Sequence, residues 1–237
     1  MKYASATYVE ETRIGFVFLR THTWQHHVLR VAINDLKRLA GEPAPQGGTL
    51  LDVGCGQGRS FRYLRDVFAP TRMLGLDADP HSIELSRGET ARQGIDVELF
   101  TSDCARIDLP DASVDTVFCH QTFHHLVEQE RALDEFWRVL KPGGLLLFAE
   151  STKAYIDSWV IRWFFRHPMH VQKTADEYVA MLRARGFVFT DAQVSLPYLW
   201  WSRAKDFGLL ERWGIKAAPP VGKREETLVN VAARKPG

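Results

Sequence analysis

Cysteine is scarce in this 237-residue chain: three thiols, at positions 55, 104 and 119, with no close pair among them. That scarcity excludes a disulfide-built secreted scaffold and a paired-cysteine zinc knuckle, and it suits a reducing compartment. Net charge is lacking too, because 30 Lys+Arg face 29 Asp+Glu and leave a formal +1. Without a field of one sign there is no broad surface to steer a polyanion, so nucleic acid is not the expected partner. An apolar run of roughly 20 residues, the length needed to cross a bilayer, is absent. So is an apolar leader with a small-residue cleavage site in the opening MKYASATYVEETRIG, and a cytoplasmic location is the expectation. Repeats and low-complexity tracts are missing as well. AGEPAPQGG at 40–48 is the one good candidate for a linker or loop.

What is present is an ordinary globular composition, 45% hydrophobic and 25% charged. At this length folding removes roughly 70% of the unfolded chain's surface, enough for an independent core, so a single domain over 1–237 is expected. Residues 21–41 place Trp24, Val28, Val31, Leu36 and Leu39 on one helical face, with Ile33 opposite. Then come an apolar strand TLLDVG, a helix over RSFRYLRDVF and a second strand RMLGLDAD. The pattern goes on with a helix from Pro80 to about Ala91, strands at Val97–Phe100 and Val114–Cys119, and a helix at about Glu130–Leu140. Lys141-Pro142-Gly143-Gly144 stops that helix before the strand Leu145–Glu150. Thr174 and Glu177 are spaced to cap a helix ending near Gly186, and strands at Phe187–Val194 and Leu228–Ala233 complete the set. Helices alternating with apolar strands imply a parallel sheet covered on both faces.

Chemistry concentrates where the first strand ends. Leu50-Leu51-Asp52-Val53-Gly54-Cys55-Gly56-Gln57-Gly58 puts three alternating glycines where a buried strand turns into a helix, which lets backbone approach a ligand closely. Asp77 ends the second strand at the distance expected of an acid that accepts from ribose hydroxyls. A nucleoside-containing cofactor follows. The dinucleotide pattern Gly-x-Gly-x-x-Gly fails, since its last position is Arg59.

These residues, with LGLDADP at 74–80, SDCARIDLPDASVDTVFCHQTFHHL at 102–126 and FWRVLKPGGLLLFAE at 136–150, closely resemble the class I S-adenosylmethionine-dependent methyltransferases, in particular their small-molecule and ubiquinone-biosynthesis-like branch. The resemblance implies a Rossmann-like α/β fold: a seven-stranded sheet, mostly parallel with one antiparallel edge strand, and helices on both faces. It implies S-adenosylmethionine as cofactor and S-adenosylhomocysteine as product. Asp52 and Gly54 would shape the amino-acid end of the site, Gly56 and Gly58 would allow close approach, and Asp77 would hold the ribose. Asp103 would accept from the adenine amino group, Cys104 would offer its amide at the ring, and Cys119, His120 and Gln121 would pass near the methionine. Cys55 and Ala78 belong to the same set. Asp79 would either stand behind that set or cap the helix that follows.

A methyl group already activated on sulfur asks the protein mainly to orient the reactants and exclude water, so no metal is required. His124 and His125 follow the fourth strand, where a parallel sheet opens to its crevice. They are the candidate acid/base residues, with helix capping as the competing role. His22 and His26 share a helix face, but no nearby cysteine or acid completes a metal set. Tyr3 and Tyr8 lie in an N-terminal segment, 1–40, expected to act as a helical lid. Residues 151–173 form an aromatic-rich insertion in which Trp159, Trp163 and His167 suit an apolar or aromatic acceptor and core packing equally well. Tyr198-Leu199-Trp200-Trp201 adds a further aromatic block. Together these features point to methylation of a small acceptor, oxygen slightly favoured over carbon or nitrogen, by a monomer or homodimer. The alternatives are an RNA or protein methyltransferase and a non-catalytic cofactor-binding protein.

Overall fold

A strand that is apolar on both faces needs cover on both sides, and the alternating chain supplies it. The computed structural model describes residues 7–9, 11–41, 45–197 and 209–237. Its strands are β1 (Thr49–Val53), β2 (Arg72–Asp77), β3 (Glu98–Thr101), β4 (Val114–His120), β5 (Leu140–Ser151), β6 (Val194–Ser195) and β7 (Leu228–Arg234). They form one sheet in the order β3-β2-β1-β4-β5-β7-β6. The first five run parallel, and β7, reversed, pairs antiparallel with β5 and β6 at one end of the sheet. This is the expected Rossmann-like methyltransferase sheet.

The helices are α1 (Arg13–Phe18), α2 (His22–Trp24), α3 (Arg30–Ala40), α4 (Phe61–Phe68), α5 (Pro80–Gln93), α6 (Gln129–Val139), α7 (Lys153–Ile156), α8 (Trp159–Phe164), α9 (Ala175–Arg185) and α10 (Leu209–Arg212). Alternate strand residues feed two cores. On one face Leu51, Val53, Val117, Leu146 and Phe148 pack with Leu133 and Phe136 of α6 and Tyr178 and Leu182 of α9. On the other Leu50, Phe118, Leu145 and Leu147 meet Ile33 and Leu36 of α3, Phe61 and Leu64 of α4 and Ile83 of α5. Asp79 caps α5 by accepting from the amides of His81 and Ser82. The Thr174–Glu177 capping box opens α9, and Gly186 closes it. No helix among the described residues is long and apolar enough to cross a membrane.

Three local expectations are corrected. Ile33, placed opposite the apolar face by a uniform 3.6-residue period, is fully buried, whereas Val31 is exposed. A π-helical turn at Gln25–Leu29 precedes α3, and its wider repeat rotates everything downstream. The strand expected over Phe187–Val194 is reduced to a bridge at Val188 and the two residues of β6. Between them Thr190 and Gln193 cap each other around a short 3-10 turn, which takes those amides out of the ladder. Lys141–Gly144 ends α6 but also lies inside β5, which pairs Leu140 with Val114 and then resumes at Leu145 opposite Thr116 across a bulge.

The shifted register makes a direct test. Ile33→Ala is expected to cost about 2–5 kcal/mol in urea unfolding, and Val31→Ala less than about 0.5 kcal/mol; a uniform helix would reverse the two.

Candidate active site

At the C-terminal ends of β1, β2 and β4 the strand order changes direction, which is where a doubly wound sheet opens a crevice. The β1–α4 turn is held by β2: the amides of Gly54 and Cys55 both donate to Leu76 O, at 2.8 and 2.9 Å. Gly54 and Gly58 adopt φ of +70° and +75°. A Cβ on Gly54 would strike the Thr122 side chain at 2.2 Å, and one on Gly58 would meet Ser86 Cα at 3.2 Å. Gly56 differs, because nothing lies within 4 Å of where its Cβ would be. Its amide donates to Asp77 Oδ2 at 2.9 Å, and the Asp79 amide donates to Asp77 Oδ1 at 2.9 Å. The turn thus presents bare backbone and a fixed carboxylate to open space.

That space is a cavity of about 640 Å³, whose floor includes Gly54, Gly56, Asp77, Ala78, Asp103, Cys104 and Gln121. A narrower cavity of about 70 Å³ shares Gly54, Gly56 and Gln121 and adds Asp52, Cys55 and His120. Of the twelve residues expected at the cofactor, ten line one or both. Gly58 stands just behind, shaping the turn. The Cys119 thiol instead lies in the core, 3.6 Å from Glu150 Oε1. Asp103 accepts from the Ala105 amide at 2.8 Å through Oδ1.

Buried charge marks this end of the sheet. Burial pushes the Asp52 carboxyl up to about 7, against the Ser60 hydroxyl that donates to it and with help from the Asp77 charge. Burial likewise raises Asp77 to about 6, although the amides of Asp79 and Gly56 pull the other way. His120 is depressed to about 4 by burial, and its Nε2 has no protein partner.

The larger cavity continues toward the N-terminal segment. Tyr8 bridges to Leu126, with the Val9 amide donating to His125 O at 3.0 Å and the Val127 amide to Thr7 O at 2.8 Å. Tyr8, Glu11, Phe16 and Val17 thereby line the cavity together with His125. Tyr3 and Tyr198–Trp201 lie outside the described residues. His124 and His125 separate in role: His125 lines the cavity, while His124 is buried with Nδ1 2.6 Å from Glu150 Oε2. His167 joins them, its ring centroid 5.1 Å from that of His124 and 4.7 Å from that of His125. Trp159 and Trp163, expected in a pocket or core, are in neither; they are 62% and 82% exposed. Four residues apart on the short α8, they share its outer face, and Ile161 takes the inner one.

Sequence reasoning passed over Glu150. It is fully buried, and its Oε1 accepts from the amides of Thr122 and Phe123 at 2.9 and 2.8 Å. The signal was there: like Asp77, it is an acid ending an apolar strand. Glu11 and Phe16 had none.

The strand order, the glycine turn and the strand-ending acids define the class I methyltransferase fold, and comparison with known proteins agrees. Residues 51–148 match the family described as "Methyltransferase domain". A "Probable S-adenosylmethionine-dependent methyltransferase" of Mycolicibacterium smegmatis is 34% identical over 146 residues, 61% of this chain and 54% of that protein. A demethylmenaquinone methyltransferase of Deinococcus radiodurans is 30% identical over 120 residues, half of each chain. The chain therefore spans about half the length of these curated relatives. The crystal structure of a SAM-dependent methyltransferase from Aquifex aeolicus superposes with a TM-score of 0.64 at 22% identity, covering 93% of this chain and 97% of the other.

Two predictions arise from the buried acids. Glu150→Ala leaves two amides and His124 without their acceptor and is expected to cost about 3–5 kcal/mol in urea unfolding. Asp52 and Asp77, raised in the folded state above an unfolded value near 4, hold protons that the unfolded chain has lost. Their contribution is complete below about pH 4 and disappears as pH rises through 6 to 7. Buried His120 and His167, depressed to about 4 and about 3, act in the opposite sense, so the test is a difference. The stability of Asp52→Asn relative to the parent should rise steadily from pH 4 to pH 8, and a flat difference would contradict the raised Asp52.

Proposed function

We propose that this protein transfers the methyl group of S-adenosylmethionine to a small, apolar or aromatic acceptor, oxygen being the favoured atom. One observation carries the reading: a single cavity is lined both by the Gly56 backbone and Asp77 and by an apolar wall of Tyr8, Val9, Phe16, Val17 and Leu126, together with His125. The cofactor fits what is present. The open space over Gly56 admits a close-lying nucleoside, Asp77 offers acceptors for ribose hydroxyls, Asp103 lies at the adenine side, and the orphaned His120 Nε2 stands beside the narrow extension reaching Asp52. When bound, S-adenosylmethionine supplies an electrophilic methyl group on a sulfonium.

The remaining tasks fall to side chains. The apolar wall seats the acceptor's body and keeps water from the reacting atoms. His125 receives its polar end. Burial, with His124 and His167 beside it, holds the His125 ring well below the ordinary histidine range, so the ring is neutral at pH 7, and its Nδ1 is buried without a partner. A neutral imidazole nitrogen accepts the hydrogen bond of an acceptor hydroxyl and orients its oxygen toward the cofactor end. His124, fastened to Glu150, acts as a positioning residue for that ring. A small acceptor in a soluble setting, handled by a monomer or homodimer, fits the balanced charge.

Asp77→Ala is expected to weaken S-adenosylhomocysteine binding at least about tenfold by calorimetry, the loss of charge-assisted hydrogen bonds of about 1.5–3 kcal/mol; unchanged affinity would remove the ribose assignment. Methyl-labelled S-adenosylmethionine with fractionated cell extract should label organic-extractable material. Label in nucleic acid or protein would point instead to a macromolecular acceptor, and cofactor binding with no label in any fraction to a non-catalytic binder.

A further inference from the structure

Three imidazoles converge beside the larger cavity, and one of them, His125, lines it. One ring nitrogen from each of His124, His125 and His167 lies within 4.8 Å of the others. Among the described residues no hydrogen bond joins any two of these rings, although their centroids are only 4.4 to 5.1 Å apart. Rings brought this close present nitrogens that a single ligand can share. His124 is oriented as a ligand should be: Nδ1 is committed to the Glu150 carboxylate at 2.6 Å, which leaves Nε2 for the cluster. A carboxylate behind a histidine fixes ring and tautomer at metal centres. His125 adds the second independent sign, a buried ring nitrogen with no partner. Glu11 Oε2 stands 3.7 Å from His125 Nε2, at the cavity wall.

We propose that His124, His125 and His167 form a binding site for a divalent transition-metal cation of the zinc or cobalt type, with the fourth position open to the cavity. Imidazole suits these cations, and three protein ligands with an open position is the arrangement of reactive rather than structural sites. Bonds of about 2.0–2.1 Å in tetrahedral geometry set neighbouring nitrogens about 3.4 Å apart, so the cluster must close by roughly 1 Å. His167 can supply that movement, because it lies in an irregular segment between α8 and the short helix Met169–Val171. The open position takes an acceptor oxygen, and the cation's charge lowers the cost of removing its proton. The sequence reading expected no metal, since His124–His125 and His167 are more than forty residues apart and only the fold joins them. That consequence for the acceptor rests on the methyl-transfer reading; cation binding itself does not.

The test uses the untagged chain, stripped with chelator and titrated with Co2+ against a chromophoric competitor, with the visible absorption of the bound ion recorded. One Co2+ per chain, with an intense tetrahedral spectrum and displacement by Zn2+, is expected. His167→Ala and His125→Ala should each weaken uptake at least about tenfold, and Glu150→Gln by roughly 10- to 100-fold. His22→Ala, which breaks the stacked His22–His26 pair on the N-terminal helix, should change nothing. Absence of stoichiometric uptake, or uptake that survives His167→Ala, or uptake lost in His22→Ala, would overturn the site. S-adenosylhomocysteine calorimetry on the same stripped samples separates the two readings: retained cofactor binding without metal uptake removes the metal site alone, and lost cofactor binding in the folded parent removes the methyltransferase reading.

Discussion

A single buried carboxylate organises the working end of this molecule. Glu150 leaves the water at the end of β5, a costly move unless its oxygens are filled, and they are: the amides of Thr122 and Phe123, the Cys119 thiol and the His124 ring all converge on it. The chain leaving β4 is thereby fastened to the neighbouring strand. Its path then dictates the rest. Gln121 is held at a φ of +52°, Thr122 presses against Gly54, and Leu126, extended after the 3-10 turn Phe123–His125, bridges to Tyr8 of the N-terminal segment.

The two ends of the cavity are therefore mechanically joined. Thr122 stands between them, donating through its hydroxyl to Gly54 O at 3.3 Å while its own amide is bound by Glu150. Any shift at Glu150 would move both the glycine turn and the histidines. Burial supplies the chemistry on each side of this joint. It raises the acids Asp52 and Asp77 and lowers the histidines His120, His125 and His167, so the crevice carries less charge at neutral pH than its composition suggests.

The N-terminal segment lines the cavity with little core of its own. Tyr8 pairs with Leu126, and the Thr12 hydroxyl donates to Phe164 O at 2.6 Å. Gln57 Nε2 donates to Phe16 O at 3.0 Å. These are polar ties to the insertion and to the glycine turn, while Ile14 and Val17 stay exposed. Such an edge opens at lower cost than the sheet does.

Local pattern in the sequence was enough for the parallel sheet, the glycine turn and the Thr174 cap, and it named the strand-end residues that line the cavity floor, though not the N-terminal residues that line the rest. Strand alternation, glycine geometry and capping are short-range rules, decided within a few residues and then repeated by the fold. What lay beyond that range was decided by tertiary structure. The π-turn before α3 rotated Ile33 into the core, and a side-chain cap removed most of a strand. On a helix of six residues packing, not aromatic content, chose which face was buried, so Trp159 and Trp163 went to the surface. The joining of Glu150, His124, His125 and His167 is likewise a matter of which strand lies beside which. Sequence determines the identity of each group; only the assembled sheet brings groups from β5, the β4 loop and the insertion together.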